Sequence, residues 1–175
     1  MPMPVFTIRP ETPKDSNVIS ELTVAAFRPL NFPDLNEHFI IEALRAVGAL
    51  TISLVAEMDG RVVGHIAFSP ITISDGTTGW YGLGPVSILP ENQRQGIGKA
   101  LIGEGLVRLK EIGARGCFLV GHPDYYGKVG FVHPTTLTHE GISLKYLFAI
   151  AFDGIYPEGE VSFHEAFKAT SSPSQ

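Results

Sequence analysis

Cysteine is almost missing from this chain: Cys117 is the single one, so no intramolecular disulfide can form and a reducing compartment fits best. Its neighbours Gly116, Phe118, Leu119 and Val120 place it in an apolar strand, where a small buried core residue is expected rather than a catalytic thiol. Basic excess is missing too. A formal net charge of −5 argues against a protein whose main task is binding nucleic acid, since that task needs a basic face. The longest apolar run, residues 146–152, falls far short of the ~20 residues that span a bilayer, and no membrane partner is expected. The start Met1-Pro2-Met3-Pro4 lacks the basic residues and apolar core of a signal peptide, so a cytoplasmic location is expected. Internal repeats and low-complexity segments are absent, and no metal is expected.

What is present is the composition of an ordinary globular domain: 175 residues, 44% hydrophobic and 18% charged, with frequent glycine and proline. A chain of this length buries roughly 70% of the surface its unfolded form exposes, which one domain over residues 1–169 accounts for, with residues 170–175 as a flexible tail. The pattern predicts a first strand over residues 5–9 and a helix capped by Thr12 with Pro13 at its first position. A second helix is expected over residues 35–47, burying Phe39, Ile40, Ala43, Leu44 and Val47 and ending at Gly48. Residues 51–58 and 61–69 are β-rich and joined by Asp59-Gly60, the strongest short-range hairpin signal. Residues 70–73 read as an extension of that third strand, and Asp75-Gly76 as a second tight turn. The fourth strand, residues 79–89, is unusual: Gly82, Gly84 and Pro85 interrupt it, and such residues weaken strand pairing. A bulge or an unpaired, splayed edge near Gly84-Pro85 is the physical consequence. Further on, residues 117–120 form a buried strand, residues 121–131 a loop, a short helical segment and another strand, and residues 146–152 and 161–163 two late strands.

Between the fourth strand and the helix expected from Lys99 lies a polar turn, Gln93-Arg94-Gln95-Gly96-Ile97-Gly98. The first amides of a helix lack intrahelical partners and the helix dipole adds positive charge, so the turn is an anion cradle, suited to phosphate. Gly96 and Gly98 let a diphosphate approach the main chain, and Arg94 and Lys99 flank it with charge. The Gly-Lys-Ser/Thr ending of a P-loop is absent, and Leu101 stands where a dinucleotide fingerprint needs its third small residue. Taken alone, the two glycines also suit mere tight-turn residues, a reading that the interrupted strand just upstream weakens.

The turn, preceded by Val86-Ser87-Ile88-Leu89-Pro90, resembles the coenzyme A signature of the GNAT-type N-acetyltransferases. Tyr126-Gly127-Lys128-Val129-Gly130-Phe131 is similar to the family's next motif, a Tyr four residues before Gly-Phe. The order of elements over residues 5–152 agrees. Gly121-His122-Pro123-Asp124 departs from the usual opening of that second motif and resembles a branch with a Gly-x-Pro-x-Tyr-Tyr pattern. The resemblance implies an α/β (α+β) fold with a mixed, mostly antiparallel sheet splayed at the fourth strand and flanked by helices. It implies acetyl-CoA as co-substrate, its pantetheine arm paired with the backbone of Val86, Ser87 and Ile88. Its pyrophosphate would be held by Arg94, Gln95, Gly96, Ile97, Gly98 and Lys99, with Gln93 fixing the turn. Tyr126 would protonate the departing thiolate, a phenol of pKa about 10 facing a thiol of ~8.5.

Acetyl transfer to an amine further needs a polarised thioester carbonyl, which a backbone N–H such as that of Val86 could supply, and a proton acceptor. His122, at the end of the fifth strand, has a suitable unperturbed pKa near 6.5 and equally suits a turn-fixing role. Glu57 and His65 are weaker candidates, and a water chain would serve. Phe27, Phe32, Phe39 and Tyr81 could line an acceptor pocket or belong to the core, and Asp34, Glu37 and His38 could attract a cation. The expected partner is a small-molecule or protein amine, with homodimerisation left open. The expected activity is direct N-acetyl transfer from acetyl-CoA onto a primary amine. The alternatives are a non-catalytic CoA-binding sensor or regulatory module of the same fold, and another nucleotide-dependent enzyme that uses the glycine turn.

Overall fold

The computed structural model describes residues 5–30, 35–127 and 129–174. Its framework begins with a hairpin. Asp59 and Gly60 both take positive φ, 52° and 75°, the type I′ geometry that turns a chain back within two residues. This sets β2 (Ile52–Met58) antiparallel to β3 (Arg61–Pro70), and β1 (Thr7–Pro10) adds to the outer edge of β2. After β1 the chain enters a short 3₁₀ turn at Pro13–Asp15, where Asp15 accepts hydrogen bonds from the Thr12 amide at 2.7 Å and from Arg9 at 2.8 Å. Helix α1 (Ser16–Phe27) follows directly, and α2 (Glu37–Ala46) packs beside it. In α2 the buried residues are Ile41 and Leu44, one turn apart; of the five expected, Leu44 alone is buried, while Phe39, Ile40 and Ala43 are half-buried. Val47 falls beyond the last helical residue and is 65% exposed.

The main sheet continues through β5 (Trp80–Ile88), β6 (Gly116–Val120) and β8 (Leu147–Ala151), in the order β1-β2-β3-β5-β6-β8. Among the described residues of this sheet only β5 and β6 are parallel, and their connection is α3 (Ile97–Glu111), the crossover that parallel neighbours require. Gly64 of β3 lies beneath Ile97 and Leu101 of α3, and the Phe68 ring fills the space above Gly105. The alternate residues His65, Ala67 and Ser69 therefore face the opposite side, where α1 packs on β3 and β5.

Residues 70–73 do not prolong β3. The chain breaks at Ile71, and β4 (Thr72–Ile73) pairs with β9 (Gly159–Ser162), which in turn pairs with β7 (Leu137–Thr138) in a second, small sheet. The reason is packing: Ile71, Ile73, Leu137 and Val161 bury one another against Trp80 and Phe118, covering the part of the main sheet that α1 does not reach. The strand expected after the short helix α4 (Pro123–Tyr126) reduces to a single bridge between Val132 and Ala149. The tail carries one tie, from the Ser172 hydroxyl to Glu42 at 2.8 Å. Among the described residues no helix is long and apolar enough to cross a membrane.

Candidate functional site

The interruption in β5 produces an opening. Opposite Ile66 and Phe68 of β3 stand Val86 and Leu83, so two residues, Gly84 and Pro85, face the single Ala67. That is a β-bulge, and it falls where the glycine and proline predict it. On the other side, β5 pairs with β6 only through Trp80, Tyr81 and Gly82. Beyond Gly82 the two strands diverge.

The Leu89 amide donates to the Val63 carbonyl at 2.9 Å, which sets the phase of the ladder. Leu89 and Val63, then Ser87 and His65, are the hydrogen-bonded pairs, so the main-chain groups of Val86 and Ile88 point the other way, into the opening. Ser87 thus differs from expectation: its backbone is committed to β3, and its side chain is buried on the α1 side. One-residue alternation is the cause. The Gln93 side-chain amide donates to the Ile88 carbonyl at 3.3 Å, across the turn.

Arg94 and Gly96 adopt left-handed φ of 64° and 83°, and these two reversals deliver the chain into α3 two residues earlier than Lys99. The first intrahelical bond runs from the Ala100 amide to the Gly96 carbonyl, so the amides of Ile97, Gly98 and Lys99 precede the ladder and are available to an anion. The glycines have separate reasons. Gly96 is needed for its φ; a Cβ there would meet nothing within 4 Å. At Gly98 a Cβ would collide with the hydroxyl of Tyr125.

A cavity of 590 Å³ joins these parts. It is lined by Val86 and Ile88 of β5, by Gln93, Arg94, Gly96, Ile97, Gly98 and Lys99 of the turn and the start of α3, and by Tyr125 and Tyr126 of α4, with the Tyr125 hydroxyl against Gly98. Arg94 and Lys99 are exposed and carry no ion pair among the described residues. Gln95 lies outside the lining, with its side-chain oxygen buried and unpartnered. The Tyr126 ring packs against Gly121, Phe131 and Phe148, and burial pushes its phenol well above the usual value. It therefore keeps its proton and presents it as a hydrogen-bond donor.

His122 is not drawn into the cavity. It caps α4, its Nδ1 accepting from the Asp124 amide at 3.2 Å. A neutral ring bonded that way carries its proton on Nε2 and has no lone pair left for an amine, which favours the turn-fixing role. Glu57 is tied to Arg9 at 3.0 Å, and His65 is fully buried beneath α1, its Nε2 2.8 Å from the Ser53 hydroxyl. Phe27 does line the cavity, with Ala26 and Leu30. Tyr81 lies on the other side of the bulge, Phe39 stacks on His38 at 3.9 Å, and Phe32 and Asp34 fall outside the described residues. His38 borders a separate cavity of 360 Å³ with Glu21 and Arg28. Cys117 is fully buried and its thiol is pushed upward by desolvation, so it is a core residue. Among the described residues no group of His, Cys, Asp or Glu could hold a metal ion.

Local sequence pattern singles out neither Tyr125 nor Ala26, Leu30 and Asn92. Only long-range packing brings the end of α1 against β5.

A parallel strand pair that diverges beyond a bulge, with a helix N-terminus at its mouth, defines the architecture of a GNAT acetyltransferase, and this chain belongs to that family. Residues 50–133 match the acetyltransferase (GNAT) domain. The chain is 34% identical over 125 residues to the N-acetyltransferase YhbS of Escherichia coli K12, covering 71% of this chain and 72% of that one. It is 33% identical over 128 residues to the N-acetyltransferase YjhQ of the same strain, covering 72% and 69%. A GNAT family acetyltransferase from Brucella melitensis, solved in complex with acetyl-CoA, superposes with a TM-score of 0.83 at 48% identity, over 93% of this chain and 98% of that one. The structure of E. coli YhbS in complex with CoA gives 0.84 at 28% identity, over 98% and 97%.

Proposed function

We propose that this protein transfers the acetyl group of acetyl-CoA directly onto a primary amine of a small molecule or protein. The observation that carries the reading is the continuity of the cavity, from the main-chain edge at Val86 and Ile88 that pairs with no strand to the unpaired amides at the start of α3. A pantetheine arm needs the first and a diphosphate the second, whereas a bare phosphate would need only the second. Two relatives of this fold were solved with acetyl-CoA and with CoA.

Acetyl-CoA supplies the activated thioester. Val86 and Ile88 hold the arm through main-chain groups, and an amide on this edge polarises the thioester carbonyl. Ile97, Gly98 and Lys99 hold the diphosphate through their amides, and the Arg94 and Lys99 side chains add charge. Tyr126 directs its hydroxyl proton to the sulfur end. Because burial raises its phenol far above a thiol's ~8.5, it stabilises developing charge on sulfur by hydrogen bonding rather than by complete proton loss. Solvent takes the proton released by the amine. Such a reaction suits the reducing cytoplasm.

Tyr126→Phe tests this directly. Thiol release from acetyl-CoA with a panel of primary amines should fall by about 10²-fold or more, while CoA affinity stays within about twofold. Undiminished turnover in the variant would remove Tyr126 from the chemistry. Tight CoA binding by the wild type with no turnover of any amine would favour a CoA sensor.

A further inference from the structure

Tyr125 has no part in the chemistry above, yet it is the side chain that crosses the opening. It stands on α4, which follows β6, and its hydroxyl reaches the first turn of α3, which follows β5. One side chain thus spans the two elements that continue the two diverging strands. Its ring is held by the Tyr126 ring at 4.8 Å in an edge-on arrangement, which fixes where the hydroxyl points. The residue remains 43% exposed and lines the cavity.

Packing alone explains the ring but not the hydroxyl. A phenol O–H is both donor and acceptor, and among the described residues this one has no hydrogen-bond partner. It stands against Gly98 of α3, in a cavity that Ile88 of β5 and Ile97 of α3 also line. The absence of a Cβ at Gly98 is what admits it. Arg94 and Lys99, the charged lining residues, flank Gly98 in the sequence, so this part of the cavity suits negative charge, and a diphosphate held by main-chain amides still has oxygens free for a further donor.

We propose that Tyr125 is a second cofactor-binding residue, a clasp whose hydroxyl, standing beside Gly98, donates from α4 to the same diphosphate of coenzyme A that the first amides of α3 hold. This rests on the acetyl-CoA reading of the cavity. The clasp ties α4 to α3 through the ligand, which also holds the neighbouring Tyr126 at its place. Hydrogen bonds to charged groups are about twice as strong as neutral ones, so removing the hydroxyl should be visible in affinity without loss of fold.

Calorimetric titration with CoA, together with ³¹P resonances of the bound diphosphate, decides the matter for wild type, Tyr125→Phe and Tyr125→Leu. Tyr125→Phe keeps the ring contact with Tyr126, and its unchanged thermal melting confirms an intact fold. CoA affinity should drop about tenfold or more in Tyr125→Phe, the diphosphate resonances should shift, and Tyr125→Leu should lose little more. Affinity within about twofold of wild type in Tyr125→Phe, with unmoved resonances, overturns the clasp and leaves the acetyl-CoA reading standing. A large loss confined to Tyr125→Leu assigns the effect to the ring and also overturns it. Failure of the wild type to bind CoA overturns both.

Discussion

His65 occupies the middle of the main sheet with no exposure to solvent. Its Nε2 meets Ser53, whose hydroxyl bonds Glu11, and Glu11 is paired with Arg45 at 2.9 Å. Its Nδ1, and the Ser87 hydroxyl of the residue facing it across the ladder, are buried without partners. Desolvation lowers the imidazole pKa from 6.5 to about 4, against the opposing pull of Glu11 and Asp15, while Arg45 lowers it further. The group is neutral in the fold and titrates near 6.5 when unfolded. Its contribution is intact above pH 6.5 and is lost as the pH falls towards 4, because only the unfolded chain takes up the proton in that window. The loss amounts to about 3 kcal/mol over the window. Urea denaturation between pH 7 and pH 4 should show this decline, flattened in His65→Gln; an equal decline in the variant would place the acid sensitivity elsewhere. Asp15 acts lower. Arg9 holds its carboxyl below the ordinary 3.8, so its share persists above that value and is lost only as the pH falls below it.

At the scale of elements, the position of α3 matters most, since its first turn carries the unpaired amides that the proposed function uses. Two glycines set how closely it lies on the sheet. Gly64 of β3 leaves room for Ile97 and Leu101, and Gly105 of α3 leaves room for the Phe68 ring. A methyl group at Gly105 would collide with that ring, which is fully buried and has nowhere to move. Gly105→Ala should therefore lower stability by about 1–3 kcal/mol despite the better helix propensity of alanine. Chemical denaturation measures it, and a stabilised variant would show that the helix–sheet distance is not set here. The same element explains a limit of local pattern. Hydrophobic periodicity places the helix at residues 99–110, but its first turn is fixed by the left-handed Arg94 and Gly96, and a non-glycine residue in that conformation leaves no mark in the sequence.

For the whole molecule, what was legible is what depends on neighbours along the chain. Asp59-Gly60 specifies its hairpin, Gly84-Pro85 its bulge, and the run from Gln93 to Gly98 its turn, because each places particular backbone demands on a few consecutive residues. Long-range pairing was not legible. The union of β4, β9 and β7 joins segments far apart in sequence, and its signal, a few buried residues such as Ile73 and Val161, is indistinguishable locally from loop hydrophobics. The assignment of Ser87 failed for a related reason. Which edge of β5 its backbone faces depends on register with β3, and the bulge resets that register. Tyr125 escaped because its partner, Gly98, stands on another helix. The two motifs therefore identify the donor half of the site, and packing supplies the rest.

The central claim is that the opening between β5 and β6 is a coenzyme A site rather than a general nucleotide pocket. Titration of the folded protein with CoA, with ATP and NAD as controls, tests it most directly. The account predicts saturable binding of one CoA per chain and, for ATP and NAD, affinity weaker by about a hundredfold or more, because neither offers a pantetheine arm to Val86 and Ile88. Saturable binding of ATP or NAD with none of CoA would contradict it.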